Sequence, residues 1–202
     1  MKRGKVIVIS GPSGVGKGTV CRELMKRYPD LAATTVSVTT RAPRPGEVEG
    51  VHYYYRTNEE FDKLLAEGKF LETVDKFTHR YGTLLSEVER VLSQGKNVIL
   101  EIEMIGGANV KKAIPDAVLI YLLPPSLDAL IARLVGRGSE TEEQIKLRHS
   151  QVEKEFDQAS PYEYFVVNDD LSVAVENVKT IIDAESLKDD FRNVKKNYFG
   201  RN

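Results

Sequence analysis

The stretch Lys5-Val6-Ile7-Val8-Ile9-Ser10-Gly11-Pro12-Ser13-Gly14-Val15-Gly16-Lys17-Gly18-Thr19 decides the fold. Its first six residues form a short β-branched run closed by glycine. That is the pattern of a strand buried on both faces, hence parallel and central in its sheet. Behind the glycines, Val20, Cys21, Leu24, Met25 and Tyr28 recur at helical spacing, and Pro29 ends the helix. A glycine-rich turn between a buried strand and a helix is the setting that a phosphate-binding loop requires. The glycines tolerate positive φ and let backbone N–H groups converge on phosphate oxygens. The helix N-terminus adds the positive end of its dipole, and Lys17 adds a point charge for the β- and γ-phosphates. Residues Gly11, Pro12, Ser13, Gly14, Val15, Gly16, Lys17, Gly18 and Thr19 are therefore the candidate triphosphate site. Gly18 stands where the strict pattern carries a Ser or Thr hydroxyl for magnesium, and Thr19 comes one residue later.

Outward from this loop the chain keeps alternating strand and helix signals. Thr34 to Thr40 alternates as a strand and runs into the stiff loop Arg41-Ala42-Pro43-Arg44-Pro45-Gly46. Val51 to Arg56 and Lys69 to Val74 read as strands, and Thr57-Asn58-Glu59-Glu60 as a capping box for a helix that stops at Gly68. A helix follows from Leu84 or Leu85 to Gly95. Asn97 to Glu103 and Ala117 to Leu122 are further buried-type strands, separated by a short helix that runs to Pro115. Pro124-Pro125-Ser126 opens a helix that breaks at Gly136-Arg137-Gly138, and Ser139-Glu140-Thr141-Glu142 caps another that runs to about Gln158. A short strand, Tyr164 to Val167, and a long charged helix complete the chain. The fold expected is α/β: a P-loop parallel-sheet core with an inserted strand-rich lobe and a helical lid. Residues 1–34, 94–125 and 159–202 would form the core, 35–93 the lobe and 126–158 the lid.

Composition bounds the function. The chain has 202 residues, and 29 basic against 30 acidic side chains give a net charge of −1. No global basic field exists to attract nucleic acid or anionic lipid, so an anion site must be built locally. Cys21 is the single cysteine, which excludes an internal disulfide framework and an all-cysteine metal site. His52, His79 and His149 lie far apart, and no protein-held metal site is expected. The apolar run Ala117 to Leu123 is far short of a membrane span, and the one behind Met1-Lys2-Arg3 is too short for a signal peptide. A cytoplasmic protein is expected. Oligomeric state is left open.

Two arginines, Arg41 and Arg44, flank Pro43 on the stiff loop, so two guanidinium forks share one turn. Glu101 and Glu103 are two apart on a presumed strand, at the strand end where α/β sheets bind ligands. Taken alone, these residues fit a solvated basic loop and a structural acid pair as well as a second phosphate site.

The chain resembles guanylate kinases. The resemblance rests on Ser37-Val38-Thr39-Thr40-Arg41-Ala42-Pro43-Arg44, Gly50-Val51-His52-Tyr53, Leu71-Glu72 with Tyr81-Gly82-Thr83, and Gly136-Arg137-Gly138-Ser139-Glu140. The phosphate loop and Val167-Asn168-Asp169-Asp170 extend it over nearly the whole chain in collinear order. It implies transfer of the ATP γ-phosphoryl group to GMP, with Mg2+ accompanying ATP. It implies that Arg41, Arg44, Tyr53 and Tyr81 hold the GMP phosphate. Glu72 would read the two adjacent guanine donors, Ser37 and Thr83 would donate to O6, and Glu101 would help hold the base. Glu103 would organise magnesium through water. Arg133 and Arg137 would meet the triphosphate, Asn168 would lie near the adenine, and Lys17, Arg44, Arg137 and Arg148 would carry the catalytic charge.

The sequence departs from the family at Ile105, where glutamine is usual, at His79-Arg80, where Asn-Tyr is usual, and at Leu84, where proline is usual. These positions favour weighing a kinase for another nucleoside monophosphate. A guanylate-kinase-like binding module is the alternative from another class, although such modules typically have a damaged phosphate loop.

Overall fold

The computed structural model describes residues 4–76, 78–135, 156 and 159–188. Five parallel strands form the main sheet: β1 (Val6–Ser10), β2 (Ala32–Thr34), β7 (Asn97–Glu101), β8 (Val118–Leu123) and β9 (Tyr164–Val167). Their spatial order is β2-β7-β1-β8-β9, so β1 lies in the middle with a parallel partner on each side. Helices cover both faces, and the alternation along β1 shows why. Ile7 and Ile9 pack with Val20, Cys21 and Leu24 of α1 (Lys17–Arg27) and with Val178 and Ile182 of α6 (Leu171–Leu187). Val6 and Val8 face the other way, into a cluster with Val88 and Val91 of α3 (Leu85–Leu92) and Met104 and Val110 of α4 (Met104–Ala113). Each such buried aliphatic side chain contributes roughly 1.5–3 kcal/mol.

A second sheet is built from β3 (Ser37–Thr39), β4 (Tyr53–Tyr55), β5 (Phe70–Lys76) and β6 (His79–Leu84), in the order β4-β3-β6-β5. Here β6 runs antiparallel to both neighbours. Helix α2 (Asn58–Ala66) opens with the expected capping box: the Thr57 hydroxyl accepts from Glu60 N, and the Glu60 carboxylate accepts from Thr57 N. Helix α5 (Leu127–Val135) starts after Ser126, whose hydroxyl accepts from Ala129 N at 3.1 Å.

Three sequence expectations change. The single strand expected over Thr34 to Thr40 is two strands in different sheets, because β2 pairs with β7 and β3 pairs with β4 and β6. Strand β6 carries no sequence signal; its six residues include Gly82 and mostly polar side chains, and two antiparallel partners stabilise it. The strand expected to reach Glu103 ends at Glu101, and Glu103 is the N-cap of α4. The helix expected over 139–158 lies almost wholly outside the described residues.

Candidate active site

The C-terminal ends of β1 and β7 open into a cavity of about 410 Å3 that reaches the second sheet. Lys17, Arg41, Arg44 and His79 line it together with Glu72, Glu101 and Glu103, and Ser37, Tyr53 and Tyr81 complete its polar wall.

The loop at its floor has the expected form. Gly16, at φ 98°, is the N-cap of α1 and needs the left-handed region that side chains resist. The Lys17 ammonium donates to the Gly11 carbonyl at 2.6 Å and to Pro12 O at 3.3 Å. A Cβ at Gly18 would sit 3.3 Å from both Glu101 carboxylate oxygens. The acid on β7 therefore crowds the space of the Ser or Thr that the strict motif places there.

The arginine turn is braced by a residue that the sequence reading missed. Arg41 Nη2 donates to both Glu47 oxygens at 2.8 and 2.9 Å and its Nη1 donates to Ala42 O, while Arg44 N and Tyr55 Oη also donate to Glu47 Oε2. The Arg44 backbone donor, with Arg41 and Tyr55 behind it, holds the Glu47 carboxyl down at about 2. Arg41 also lies 5.6 Å over the Tyr53 ring. The available signal was an acid three residues after Arg44 in a Pro-Gly turn.

Glu72 is 7% exposed, and burial raises its carboxyl above the ordinary range, against the hydrogen bonds from Thr83. The Thr83 hydroxyl donates to Glu72 Oε1 at 2.7 Å. Thr83 itself is fully buried, so its hydroxyl serves the carboxylate. Glu101 is open to the cavity yet flanked by protein, which raises its carboxyl; Lys17 and Arg22 pull it back. The chain between Glu101 and Glu103 is tied from behind: Tyr162 Oη donates to Ser10 Oγ at 2.5 Å, and Ser10 Oγ donates to Ile102 O at 2.7 Å. Burial pushes the Tyr162 hydroxyl up to about 12, keeping it a donor.

A buried, hydrogen-bonded carboxylate and a braced pair of arginines thus share one cavity with the phosphate loop. The family model for guanylate kinase matches residues 3–185. The chain belongs to the guanylate kinase family. It is 49% identical over 183 residues to the guanylate kinase of Streptococcus pneumoniae (strain ATCC BAA-255 / R6), covering 91% of this chain and 88% of that protein. It is 47% identical over 188 residues to that of Clostridium perfringens (strain SM101 / Type A), covering 93% and 87%. A crystal structure of guanylate kinase from Anaplasma phagocytophilum superposes with a TM-score of 0.76 at 28% identity, covering 99% of this chain and 97% of that one.

Within this guanylate kinase fold, most of the departures leave the cavity alone. Arg80 points away from it, donating to Asp62 at 2.5 Å and covering the Phe61 ring at 4.2 Å. Ile105 is 57% exposed and is not among the lining side chains. His79 alone of the departures lines the cavity. Arg133 donates to Asn168 O at 3.1 Å, and Asn168 is buried against the phosphate loop. Arg137 and Arg148 lie outside the described residues. Among those described, no group of three or more His, Cys, Asp or Glu could hold a metal, and no helix is long and apolar enough to cross a membrane.

Proposed function

We infer that this chain is an ATP:GMP phosphotransferase that converts ATP and GMP into ADP and GDP. The observation that carries this reading is the buried Glu72 carboxylate in the same cavity as Lys17, Arg41 and Arg44. Guanine presents N1–H and an exocyclic amine side by side, and one ionised carboxylate accepts both. Adenine offers an acceptor at N1 and leaves the buried acid unpaired, a mismatch that discriminates strongly. Ser37 donates to O6, Thr83 orients Glu72, and Glu101 borders the base. The forks of Arg41 and Arg44 and the hydroxyls of Tyr53 and Tyr81 hold the acceptor phosphate.

On the donor side, residues 11–19 cradle the triphosphate and Lys17 leaves its loop carbonyls for the β- and γ-oxygens. Arg133, Arg137 and Arg148 add charge from the lid. Transfer then needs alignment and charge neutralisation, with no protein base. Mg2+ fits this donor set as an ion carried by the triphosphate and its waters, with the Glu101 carboxylate beside Gly18 as a neighbouring oxygen donor. When bound, it neutralises phosphate charge. Residues 35–93 act as the acceptor lobe and 126–158 as the lid. The buried free thiol of Cys21 suits the reducing cytoplasm.

The test is coupled ADP release at fixed magnesium-ATP with GMP, dGMP, AMP, UMP and CMP supplied in turn. Turnover with guanine monophosphates is the expected result. Turnover with another base in preference to guanine would overturn the assignment of Glu72.

A further inference from the structure

Asn168 follows β9 and is 7% exposed, and its polar groups are fixed on three sides. Its backbone N–H donates to Leu123 O at 2.8 Å, and its carbonyl accepts from Arg133 of α5 at 3.1 Å. Its side-chain amide donates to Val15 O at 2.7 Å, in the middle of the phosphate loop. Because the partner is a carbonyl, the amide must present its nitrogen there.

A loop that turns its N–H groups toward an anion must turn carbonyls the other way, and a buried carbonyl needs a donor. The Val15 carbonyl and the Gly16 N–H belong to one planar trans peptide, so they point in opposite directions. Holding the carbonyl toward Asn168 aims the Gly16 N–H to the other side of the loop, where phosphates bind. Gly16 also makes the room: a Cβ there would lie 2.7 Å from Asn168 Nδ2. Without the clamp, the peptide between Val15 and a glycine at φ 98° has little to resist rotation.

We propose that Asn168 is a positioning residue of the phosphate loop, holding the Val15–Gly16 peptide in its anion-binding orientation for any triphosphate, whatever base it carries. This deepens the donor-site reading above and rests on it. Arg133, by fixing the Asn168 carbonyl, ties α5 to the same peptide.

The experiment is titration calorimetry of the full chain with magnesium-ATP, magnesium-GTP and magnesium tripolyphosphate, which has no base. Asn168→Ala and the nearly isosteric Asn168→Leu are compared with wild type, each with a thermal melt to establish folding. Loss of one hydrogen bond predicts about threefold to tenfold weaker binding. The expected result is the same loss for all three ligands in both variants, with the ATP:GTP affinity ratio unchanged. Weakened ATP with undiminished tripolyphosphate would make Asn168 a base reader and overturn the proposal, as would undiminished binding of all three. Wild type that fails to bind tripolyphosphate would overturn the phosphate-loop reading and this proposal together. Wild type that binds it but does not phosphorylate GMP would overturn only the acceptor assignment.

Discussion

The hydroxyl of Thr83 donates to Oε1 of Glu72 at 2.7 Å inside the second sheet, from a residue with no exposure of its own. The pair is register-paired across β5 and β6. A buried carboxylate held by donors from a single residue is costly for the fold and useful for recognition. Glu72→Gln should therefore separate the two. GMP binding should weaken by about a hundredfold or more, because the amide nitrogen meets a guanine donor. Magnesium-ATP affinity should stay within about twofold, as the residue lies in the acceptor half of the cavity. Melting at pH 7 should be at or above the wild-type temperature, since burial raises the Glu72 carboxyl. The sign follows: the ionised form is destabilised by folding, so stability falls as pH rises through the window from 4.5 to the raised value.

The pH dependence of GMP binding follows from the same group. Glu72 must be ionised to accept two donors, and burial makes it take up its proton above the ordinary carboxylate range. The Glu47 clamp, held down at about 2, stays ionised throughout that range. GMP affinity should thus fall on acidification from above pH 4.5 in wild type, and that component should be missing in Glu72→Gln. Calorimetry at matched pH values checks it, and the acceptor phosphate's own titration cancels between the two proteins.

Glu47→Gln should remove the charge that holds Arg41 Nη2 and leave a single oxygen for the donors of Arg41, Arg44 N and Tyr55 to share. The KM for GMP should rise by about tenfold with little change in the KM for ATP, because only the acceptor turn loses its brace. Steady-state kinetics with each substrate varied in turn reads this directly.

A side chain at position 106 should damage guanine recognition by crowding the Glu72 carboxylate rather than by removing it. A Cβ at Gly106 would lie 2.9 Å from Glu72 Oε2 and 3.2 Å from a Val74 methyl. Gly106→Ala should raise the KM for GMP several-fold while the KM for ATP holds. The Glu72→Gln, Gly106→Ala double variant should show little further loss, since both act on one carboxylate.

Lys17→Met should abolish turnover while sparing the fold. Lys17 is only partly buried, and its ammonium bonds to the loop carbonyls of Gly11 and Pro12 rather than to a side chain on which the core depends. Removing that charge from the migrating phosphoryl group should lower kcat by at least about a hundredfold. An unchanged melting temperature together with retained GMP binding would locate the loss in the donor half.

Where function depends on adjacent residues, it was readable in the chain. The loop Gly11 to Thr19, the capping box at Thr57 and the rigid Arg41-Pro43-Arg44 turn each act through neighbours a few positions apart, so their chemistry is written locally. The buried runs at Val6, Val98 and Val118 likewise marked the central parallel strands, because a strand covered on both faces has no polar positions. Strand β6 and the break between β2 and β3 were not readable, since alternation states which side of a strand is apolar but not which strand it pairs with.

The site's internal bracing came only with the tertiary structure. Asn168 meets Val15 across 153 positions, Tyr162 meets Ser10 across 152, and Thr83 reaches Glu72 across a hairpin. Nor could the chain alone say that Arg80 turns away to Asp62 and Phe61 while His79 turns in, although the two are neighbours. Each of these choices belongs to a polar group seeking its partner after the backbone has been placed. A linear pattern records which groups are present; the free energy of burying them decides where they point.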